Sequence, residues 1–290
     1  MLILNLDKNF NPFPAYKTQI VFNLFEFPGG ERGIKLKIPE QFKEDKKVLI
    51  THRIQNSNDL MDILLAKDAL DHLGIKEVHL FIPYIPYARQ DRICDNGEAF
   101  SLKVFANLLN SANFSKVITL DAHSDVAPAL INNCVNMPNT NLVQLVLLAT
   151  NCEVLISPDA GANKKINKLA TQCGMITKVI KCDKIRTLDT GELSGFEVFT
   201  DDLKGKDCLI VDDICDGGGT FMGLATELKN KNVGKLHLFT TFGIYSKGIE
   251  ILTKYFDGIW CSNGFSTYIT DSKNQSKFNQ IPINYEIYPY

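Results

Sequence analysis

The sequence predicts an α/β protein of two tandem domains, each with a mainly parallel sheet flanked by helices. Short apolar runs alternate with segments of helical period, which is typical of strand–helix–strand units in parallel sheets. Polar and glycine-rich stretches follow several of these runs, where open α/β sheets bind ligands. The chain has 290 residues, enough for two domains of about 140 residues each.

The first half of the chain predicts three strands separated by two helices. Apolar runs bounded by polar residues predict the strands, and apolar residues recurring every three or four positions predict the helices. In chain order these elements are a strand over 48–53, a helix over 58–73, a strand over 78–84, a helix over 100–109 and a strand over 117–123.

The second half repeats this plan. Its predicted elements are a strand over 154–161, a helix ending at 170, strands over 177–182 and 208–213, a helix ending at 229 and a strand over 235–242. The polar segment 184–206 predicts a mobile flap or a β-hairpin over a site. Residues 138–150 are expected to join the two domains, and residues 285–290 to form a terminal strand.

Composition and charge are ordinary for a globular cytoplasmic protein. Hydrophobic residues make up 45% of the chain and charged residues 22%, and the net charge is −2. No global bias toward nucleic acid or membrane follows from this, and the apolar runs are too short to span a bilayer. The eight cysteines form no C-x-x-C pair, which favours buried reduced thiols. We therefore expect a cytoplasmic location, with neither nucleic acid nor membrane as partner.

The segment 210–221, IVDDICDGGGTF, is the most informative stretch of the sequence. Glycines 217–219 can adopt positive φ and turn their N–H groups inward together. A helix predicted to begin near Thr220 adds partial positive charge. The pattern predicts a phosphate cradle, with Asp212 and Asp213 placed to accept hydrogen bonds from two vicinal hydroxyls of a ribose. An ordinary strand-to-helix turn with acidic caps is the alternative.

A second polar cluster follows the strand over 78–84. Arg89, Gln90, Asp91 and Arg92 come in succession after a turn that contains proline. Guanidinium groups bind phosphates and an amide can contact a ribose or a base edge, so this cluster could hold a nucleotide. A solvated loop whose charged side chains form salt bridges with one another would give the same pattern.

Candidate metal ligands and cations follow other strands. Asp121 and His123 are two positions apart and are expected to share one face of a strand tip. With Asp159, which ends another strand, they would suit Mg²⁺, which takes many of its ligands from water and substrate phosphates. Lys184 and Arg186, at the start of the flap, could neutralise charge on a transferring phosphoryl group. A structural histidine and an exposed charged loop are the alternatives.

Six segments in chain order resemble the ribose-phosphate diphosphokinases, also called phosphoribosyl pyrophosphate synthetases. The chain contains neither G-x-x-x-x-G-K-[ST] nor a strand followed by G-x-G-x-x-G, which disfavours P-loop kinases and dinucleotide oxidoreductases. The resembling segments are 58–61 (the start of an early helix), 87–92 (the ATP-binding loop), 121–123 (a metal-binding Asp-x-His), 157–159 (a second metal-linked Asp), 183–186 (the base of the catalytic flexible loop) and 212–220 (the ribose-phosphate loop).

The resemblance implies a fold and an activity. The fold is two type I phosphoribosyltransferase-like domains, an ATP-binding domain of residues 1–141 plus 279–290 and a ribose-phosphate-binding domain of residues 142–278. The activity is Mg²⁺-dependent transfer of the diphosphoryl group of ATP to the anomeric 1-hydroxyl of ribose 5-phosphate, which gives phosphoribosyl pyrophosphate and AMP. A homo-oligomer, a dimer or a hexamer, is implied as well.

The resemblance also implies a role for each matching residue. The implied roles are ATP binding by Phe27, Glu31, Arg89, Gln90, Asp91 and Arg92; metal binding by His123 and Asp159; catalysis by Lys184 and Arg186; and ribose-phosphate binding by Asp212, Asp213, Asp216, Gly217, Gly218, Gly219 and Thr220.

The sequence departs from the family pattern at several positions. The usual Phe-Ser-Asp-Gly-Glu is FPGGE here, residues 27–31, so an acidic contact to adenine is missing. The threonine usual in the ribose-phosphate loop is Gly217, which removes a hydroxyl donor, is expected to leave open space, and could require positive φ. A Gly-Gly pair is replaced at 161–162, an arginine by Lys165 and a histidine by Phe242.

The expected space at Gly217 leaves the acceptor open between ribose 5-phosphate and a 5′-extended relative such as ADP-ribose, which would connect the chain to NAD metabolism. A catalytically silent regulatory homologue is a further alternative, which the retained metal and catalytic candidates disfavour. A phosphoribosyltransferase that consumes the diphosphate would explain the glycine loop, but neither the segment 87–92 nor a two-domain chain.

Overall fold

The computed structural model describes residues 1–14, 20–39, 47–174, 178–186, 193–268 and 276–284. Contacts divide the chain into two compact units. Unit 1 comprises Met1–Pro138 and Pro282–Tyr290, and unit 2 comprises Asn139–Ile281. Each unit contains its own parallel sheet with helices, so the predicted α/β class is confirmed.

Several expectations about the whole molecule stay predictions. These are the domain limits at 141/142 and 278/279, the homo-oligomer and the cytoplasmic location. The predicted terminal strand over 285–290 lies outside the described residues. Among the described helices, none combines the length and the apolar character that crossing a membrane requires.

Unit 1 is built on a five-stranded parallel sheet and a separate antiparallel hairpin. Its strands are β1 (Leu2–Asn5), β2 (Val21–Glu26), β3 (Arg32–Lys37), β4 (Lys47–Thr51), β5 (Glu77–Phe81), β6 (Lys116–Leu120) and β7 (Cys134–Met137), and its helices are α1 (Ser57–His72), α2 (Ser101–Ser111) and α3 (Val126–Leu130). The five-stranded sheet has the order β1-β4-β5-β6-β7, and β2 pairs with β3. Leu80 of β5, Ile63 of α1 and Phe105 of α2 lie in its buried core.

Helix α1 begins at a capping box. The Asn56 side chain accepts hydrogen bonds from the N–H groups of Asn58 and Asp59, and the Asp59 carboxylate accepts one from the Asn56 N–H. This arrangement satisfies N–H groups that the first turn of a helix leaves unpaired. The segment 58–61, part of the family resemblance, is therefore the first turn of a helix, as predicted.

Unit 2 is built on a seven-stranded sheet. Its helices are α4 (Thr140–Thr150), α5 (Asn163–Cys173) and α6 (Gly219–Asn230), and its strands are β8 (Val154–Ser157), β9 (Lys178–Arg186), β10 (Leu193–Val198), β11 (Cys208–Cys215), β12 (Leu236–Gly243), β13 (Gly258–Ser262) and β14 (Phe278–Ile281). The strand order is β10-β9-β8-β11-β12-β13-β14. All neighbours are parallel except β10 and β9.

The strand order of unit 2 reverses between β8 and β11. From β8 the chain continues to β9 on one side, whereas β11 and the later strands lie on the other side. The connections leaving the carboxyl ends of β8 and β11 therefore diverge, which creates the crevice where open α/β sheets bind ligands. Residues that follow Ser157, and those at the end of β11, belong to this crevice.

One feature of unit 2 corrects the sequence prediction, and a second adds detail to it. The strand expected over 208–213 continues to Cys215, because its residues keep pairing with β12 as far as Gly243. Asp212 and Asp213 are thus strand residues. The segment 138–150, expected to join the domains, contains the boundary between the two units at 138/139 and continues as α4 of unit 2, whose buried residues include Leu142 and Val146.

Candidate active site

The glycine loop of unit 2 connects β11 to α6. Gly218 is the N-cap of α6 and has φ of 75°. A Cβ atom at Gly218 would lie 2.8 Å from Leu252 Cδ2, so both its conformation and its surroundings require glycine. Gly219 is exposed, and a Cβ placed on it would have nothing within 4 Å. The unpaired N–H groups of the first turn of α6 therefore adjoin open space, where a phosphate could bind.

The other two glycines do not behave as predicted. Of the three, Gly218 has positive φ, and neither Gly217 nor Gly219 does. The space expected at Gly217 is partly filled, because the Cδ and Cε atoms of Lys247 lie 3.4 Å from the position of an added Cβ. Lys247 was not identified from the sequence, since it follows a different strand and lies far from the glycine loop along the chain.

The turn after β12 is fastened to the glycine loop. The Ile244 N–H donates a hydrogen bond of 2.7 Å to the Cys215 carbonyl. The Ser246 hydroxyl donates one of 2.6 Å to the Asp216 carboxylate. Tyr245 has φ of 50°, and its buried ring packs edge-on against Tyr268 with centroids 5.5 Å apart. Asp216, predicted to bind ribose phosphate, therefore also holds this turn in place.

Asp212 and Asp213 form a closely coupled acidic pair at the crevice. Asp213 is buried, and its N–H donates a hydrogen bond of 2.9 Å to Asp212 Oδ1. Burial raises the pKa of the Asp212 carboxyl well above its usual value, and the neighbouring charge of Asp213 raises it further. Asp159 adds a smaller repulsion, which shows that it lies near this pair. A ligand that donates hydrogen bonds, such as a pair of vicinal hydroxyls, would relieve this repulsion.

Asp159 and Lys184, predicted separately as metal ligand and catalytic cation, form an ion pair. Lys184 Nζ donates to Asp159 Oδ2 at 2.8 Å, and the Ala162 N–H donates to Oδ1 at 3.0 Å. Burial is the largest single influence and raises the pKa of Asp159. The hydrogen bond and charge of Lys184 lower it, as do the N–H groups of Ala162 and Gly161. Together these lowering effects outweigh burial and hold the pKa of Asp159 below its usual value. Asp159 is therefore ionised, and its remaining lone pairs could serve a cation.

The flap segment forms a β-hairpin at the edge of the sheet. β9 and β10 are antiparallel, and Lys184 pairs with Phe196. Of the two predicted alternatives, a mobile flap or a hairpin, the described part is the hairpin. Residues 187–192 lie outside the described residues, and for Arg186 the structure describes the backbone alone, as the last residue of β9.

In unit 1 the segment 87–92 forms a loop between β5 and α2 that has both buried and exposed residues. The loop is anchored at its start, because Thr119 Oγ1 and the Leu120 N–H both donate hydrogen bonds to the Pro83 carbonyl, at 2.9 and 3.0 Å. Arg89 and Arg92 are exposed, as phosphate-binding side chains would need to be.

Buried Asp91 connects this loop to the segment that carries His123. Arg92 Nε donates to Asp91 Oδ1 at 2.9 Å, and this bond is the largest cause that holds the pKa of Asp91 below its usual value. A hydrogen bond from Ser124 and the charge of His123 act in the same direction, and burial opposes them. Asp91 thus positions its neighbours, and its predicted contact with ATP stays a prediction.

Gln90 has a similar supporting role. Its side-chain oxygen accepts a hydrogen bond from Ser101 Oγ, and its backbone carbonyl accepts one of 3.3 Å from the Leu102 N–H. Both bonds hold the first turn of α2. The predicted contact between the Gln90 amide and a nucleotide would therefore use its NH₂ group.

The prediction that Asp121 and His123 share a strand face is wrong. β6 ends at Leu120, and Asp121 has a left-handed φ of 49°, so the alternation of a strand no longer applies. Asp121 is buried and its N–H donates to the Met137 carbonyl at 2.8 Å, whereas His123 is exposed. His123 remains accessible to a ligand, and Asp121 fixes the loop that presents it.

The departure at residues 27–31 forms the tip of the β2–β3 hairpin. The Phe27 N–H donates to the Glu31 carbonyl and the Gly30 N–H to the Phe27 carbonyl, both at 2.8 Å. Gly30 has φ of 91°, which favours glycine in this turn. The Phe27 ring is 51% exposed and Glu31 is exposed, so both side chains are accessible to a ligand.

One group in the described part of the chain has the spacing of a metal site. His52, Asp59 and Asp62 place their ligand atoms within 4.8 Å of one another. Arg32 already forms a two-pronged ion pair with Asp62, with Nε 3.0 Å from Oδ1 and Nη2 close to Oδ2. The guanidinium supplies the positive charge, so this cluster is explained without a metal ion.

The chain matches two family models. Residues 19–112 match the N-terminal domain of ribose phosphate pyrophosphokinase. Residues 142–269 match the phosphoribosyl transferase domain. The crystal structure of a phosphoribosylpyrophosphate synthetase from Mycobacterium smegmatis superposes with a TM-score of 0.76 at 23% identity, covering 97% of this chain and 93% of that one. This likeness supports the fold of both units.

Curated proteins give the same answer at the level of sequence. The ribose-phosphate pyrophosphokinase of Brucella melitensis is 32% identical over 75% of this chain and 71% of its own length. That of Mycoplasma pneumoniae is also 32% identical, over 89% of this chain and 77% of its own length. That of Granulibacter bethesdensis is 30% identical over 71% of this chain and 66% of its own, slightly less than two thirds of its length. The chain therefore belongs to the ribose-phosphate pyrophosphokinase family of enzymes.

Proposed function

We propose that this protein transfers the β,γ-diphosphoryl group of ATP to the 1-hydroxyl of a ribose that carries a 5-phosphate, with ribose 5-phosphate as the parent acceptor. The 1-hydroxyl oxygen forms a bond to the β-phosphorus and loses its proton to water. The bond from the β-phosphorus to the oxygen that bridges to the α-phosphate breaks, and AMP leaves. The products are phosphoribosyl pyrophosphate and AMP.

The observation that carries this proposal is the Asp159–Lys184 ion pair beside the acidic pair and glycine loop of β11. All of these groups belong to the crevice where the strand order reverses. Diphosphoryl transfer needs a fixed cation next to an acceptor site, because the transition state carries charge on its phosphoryl oxygens. Asp159 holds the Lys184 ammonium at 2.8 Å, which supports the proposal of that role for Lys184. Arg186, two residues along β9, is proposed to add a second cation.

The acceptor is proposed to bind along β11 and the first turn of α6. Asp212 and Asp213 would accept hydrogen bonds from the 2- and 3-hydroxyls, which relieves the repulsion between the two carboxyls. The N–H groups of 217–220, with the Thr220 hydroxyl, would bind the 5-phosphate. Asp216 shapes this loop through its bond to Ser246.

ATP and Mg²⁺ are proposed to bind through accessible side chains. Arg89 and Arg92 would bind the phosphates of ATP, with Arg92 oriented by Asp91. His123, which is exposed, and Asp159, which is ionised, are each proposed to bind Mg²⁺, which retains several water ligands. When bound, Mg²⁺ would neutralise phosphate charge in the transfer. Phe27 would offer its exposed ring to the base of the nucleotide. Glu31 and Gln90 would also contact the nucleotide.

The test is transfer of labelled phosphate. The purified chain is incubated with Mg²⁺ and ATP labelled in its γ-phosphate, with and without ribose 5-phosphate, and the phosphorylated sugar and AMP are quantified. Equal amounts of labelled sugar diphosphate and AMP, dependent on acceptor and on Mg²⁺, support the proposal. Release of ADP, or transfer of a single phosphoryl group, would contradict it. ATP binding without turnover would favour the silent regulatory homologue.

A further inference from the structure

The side chain of Lys247 lies across the residue that makes this glycine loop unusual. Its Cδ and Cε atoms are both 3.4 Å, and its Cγ atom 3.6 Å, from the position of a Cβ at Gly217. The ammonium group is one bond beyond Cε and therefore lies close to Gly217. Where the family usually has a short hydroxyl side chain, this protein has a glycine covered by the stem of a lysine.

The turn that carries Lys247 is fixed against the loop. The N–H groups of Ile244 and Tyr245 both donate to the Cys215 carbonyl, at 2.7 and 3.2 Å, and Ser246 Oγ donates to Asp216 at 2.6 Å. The Gly248 N–H closes the turn on the Tyr245 carbonyl at 2.8 Å. The backbone of Lys247 is therefore held at the edge of the phosphate cradle, and its contact with Gly217 does not depend on the conformation of a free loop.

The Lys247 ammonium is available to a ligand. Lys247 is exposed, and it forms no hydrogen bond or ion pair with another described residue. The nearby acid, Asp216, accepts the hydrogen bond from Ser246. The N-terminus of α6 lies at the same loop and contributes partial positive charge, to which the ammonium adds and which the Asp216 carboxylate opposes. Such an arrangement favours an anion beyond the one that the cradle itself binds.

We infer that Lys247 binds a second phosphate, so that the site accepts riboses whose 5-phosphate carries a further phosphoryl group. This inference rests on the proposed function and specifies its acceptor. The N–H groups of the loop would bind the first phosphate, and the exposed ammonium beside Gly217 would bind a phosphoryl group attached to it. The substrate class is a nucleoside-diphosphate-linked ribose, for which ADP-ribose is the probe.

The test compares two acceptors on the wild type and two variants of the full chain. Lys247→Gln keeps most of the stem over Gly217 and removes the charge. Lys235→Gln is the matched control, because Lys235 is an exposed lysine that precedes β12, at the opposite end of the strand that Lys247 follows. Transfer of γ-labelled phosphate from ATP to ribose 5-phosphate or ADP-ribose gives kcat/KM for each acceptor.

We expect the wild type to use ADP-ribose, and Lys247→Gln to lower kcat/KM for ADP-ribose about tenfold, as the loss of one charged hydrogen bond predicts. The value for ribose 5-phosphate should change less than about threefold, and Lys235→Gln should change neither. Transfer to ribose 5-phosphate but not to ADP-ribose would overturn the inference and leave the proposed function intact. Equal losses for both acceptors would do the same, because Lys247 would then serve the first phosphate.

Equilibrium binding distinguishes the inference from the proposed function when no transfer occurs. Calorimetric titration measures the affinity of ADP-ribose for the wild type and for Lys247→Gln. If neither acceptor is used, binding of ADP-ribose that depends on Lys247 would sustain the second phosphate subsite and reject the diphosphotransferase. Absence of ADP-ribose binding to the wild type would reject the subsite.

Discussion

The two units bring functional groups to the carboxyl ends of their strands in different ways. In unit 2 the strand order reverses between β8 and β11, and Asp159, Lys184 and Asp212 lie on these strands, on the adjacent β9 or directly after them. In unit 1 the described sheet runs from β1 to β7 in chain order without a reversal. Its candidate groups, among them Arg92 and His123, lie on exposed loops.

This difference determines what a substitution should do. A reversal of strand order creates a crevice in the sheet itself, so the groups of unit 2 are held by ladder hydrogen bonds and burial. A sheet without a reversal leaves its loops to form the site. We therefore expect substitutions in unit 2 to alter the rate of transfer and the stability of the fold, and substitutions in unit 1 to alter ligand affinity with little effect on stability.

The largest effect is expected from Lys184→Ala. Removing a cation that stabilises charge in the transition state should lower kcat by about 10²–10³ with a smaller change in KM, and Arg186→Ala is expected to behave alike. Steady-state kinetics with ATP and ribose 5-phosphate measure this. Lys181→Ala, which removes an exposed lysine of the same strand, is the control and should retain wild-type activity. A raised KM with unchanged kcat would show that Lys184 only binds substrate.

A smaller but distinct effect is expected within the glycine loop. Gly218→Ala would force a Cβ into left-handed backbone and to 2.8 Å from Leu252 Cδ2, so it should destabilise the protein by about 1–3 kcal/mol and weaken acceptor binding. Gly219→Ala is the matched control, because its φ is not positive and its Cβ position is open. Urea unfolding of both variants measures the difference. Equal stability of the two would mean that the loop does not require the conformation of Gly218.

The sequence was sufficient for features that depend on local pattern. Alternating strands and helices, and the glycine loop at the end of β11, follow from hydrophobic period and from the conformational preferences of glycine. It was insufficient where two distant segments meet. The contact of Lys247 with Gly217 depends on a turn that is fastened to the loop by Ser246 and Asp216, which are 30 positions apart. Hydrophobic periodicity along the sequence does not predict such a contact.

The failure at Asp121 has a different physical reason. The rule that side chains two apart share a face holds only inside a strand, and pairing with β7 ends at Leu120 and Met137. The apolar run before Asp121 predicted the strand but not its last residue. Conversely, Asp159 and Lys184 were each identified from local pattern, while their ion pair depends on the parallel pairing of β8 with β9.

A modest gain in stability is expected from Asp212→Asn. Because burial and Asp213 raise the pKa of Asp212, its ionisation disfavours the folded state at neutral pH. The variant should therefore have a higher Tm at pH 7, by roughly 2–4 °C for each kcal/mol. The raised pKa also fixes the sign of the pH dependence. Below about pH 4, the ordinary carboxyl pKa, Asp212 is protonated in both the folded and the unfolded wild type, so it no longer destabilises the fold. The difference in Tm between Asp212→Asn and the wild type should therefore disappear there.

The gain in stability should accompany a loss of function. If Asp212 accepts a ribose hydroxyl, the same variant should lower kcat/KM for the acceptor about tenfold. Asp201→Asn, at an exposed acid of unit 2, is the control and should change neither quantity. Calorimetric melting over a range of pH, with kinetics at pH 7, tests both parts. A Tm below that of the wild type at pH 7 would show that the acidic pair stabilises the empty protein.

The smallest effect is expected in unit 1, from His123→Ala. The side chain is exposed at the end of a loop that Asp121 fixes, so its removal should leave Tm unchanged. If His123 binds Mg²⁺ directly or through water, the Mg²⁺ concentration for half-maximal activity should rise several-fold, and excess Mg²⁺ should restore most of kcat. His72→Ala, at an exposed histidine of α1, is the control. A Mg²⁺ dependence equal to that of the wild type would assign His123 a structural role. A lowered Tm would show that this loop, like those of unit 2, is part of what holds its unit together.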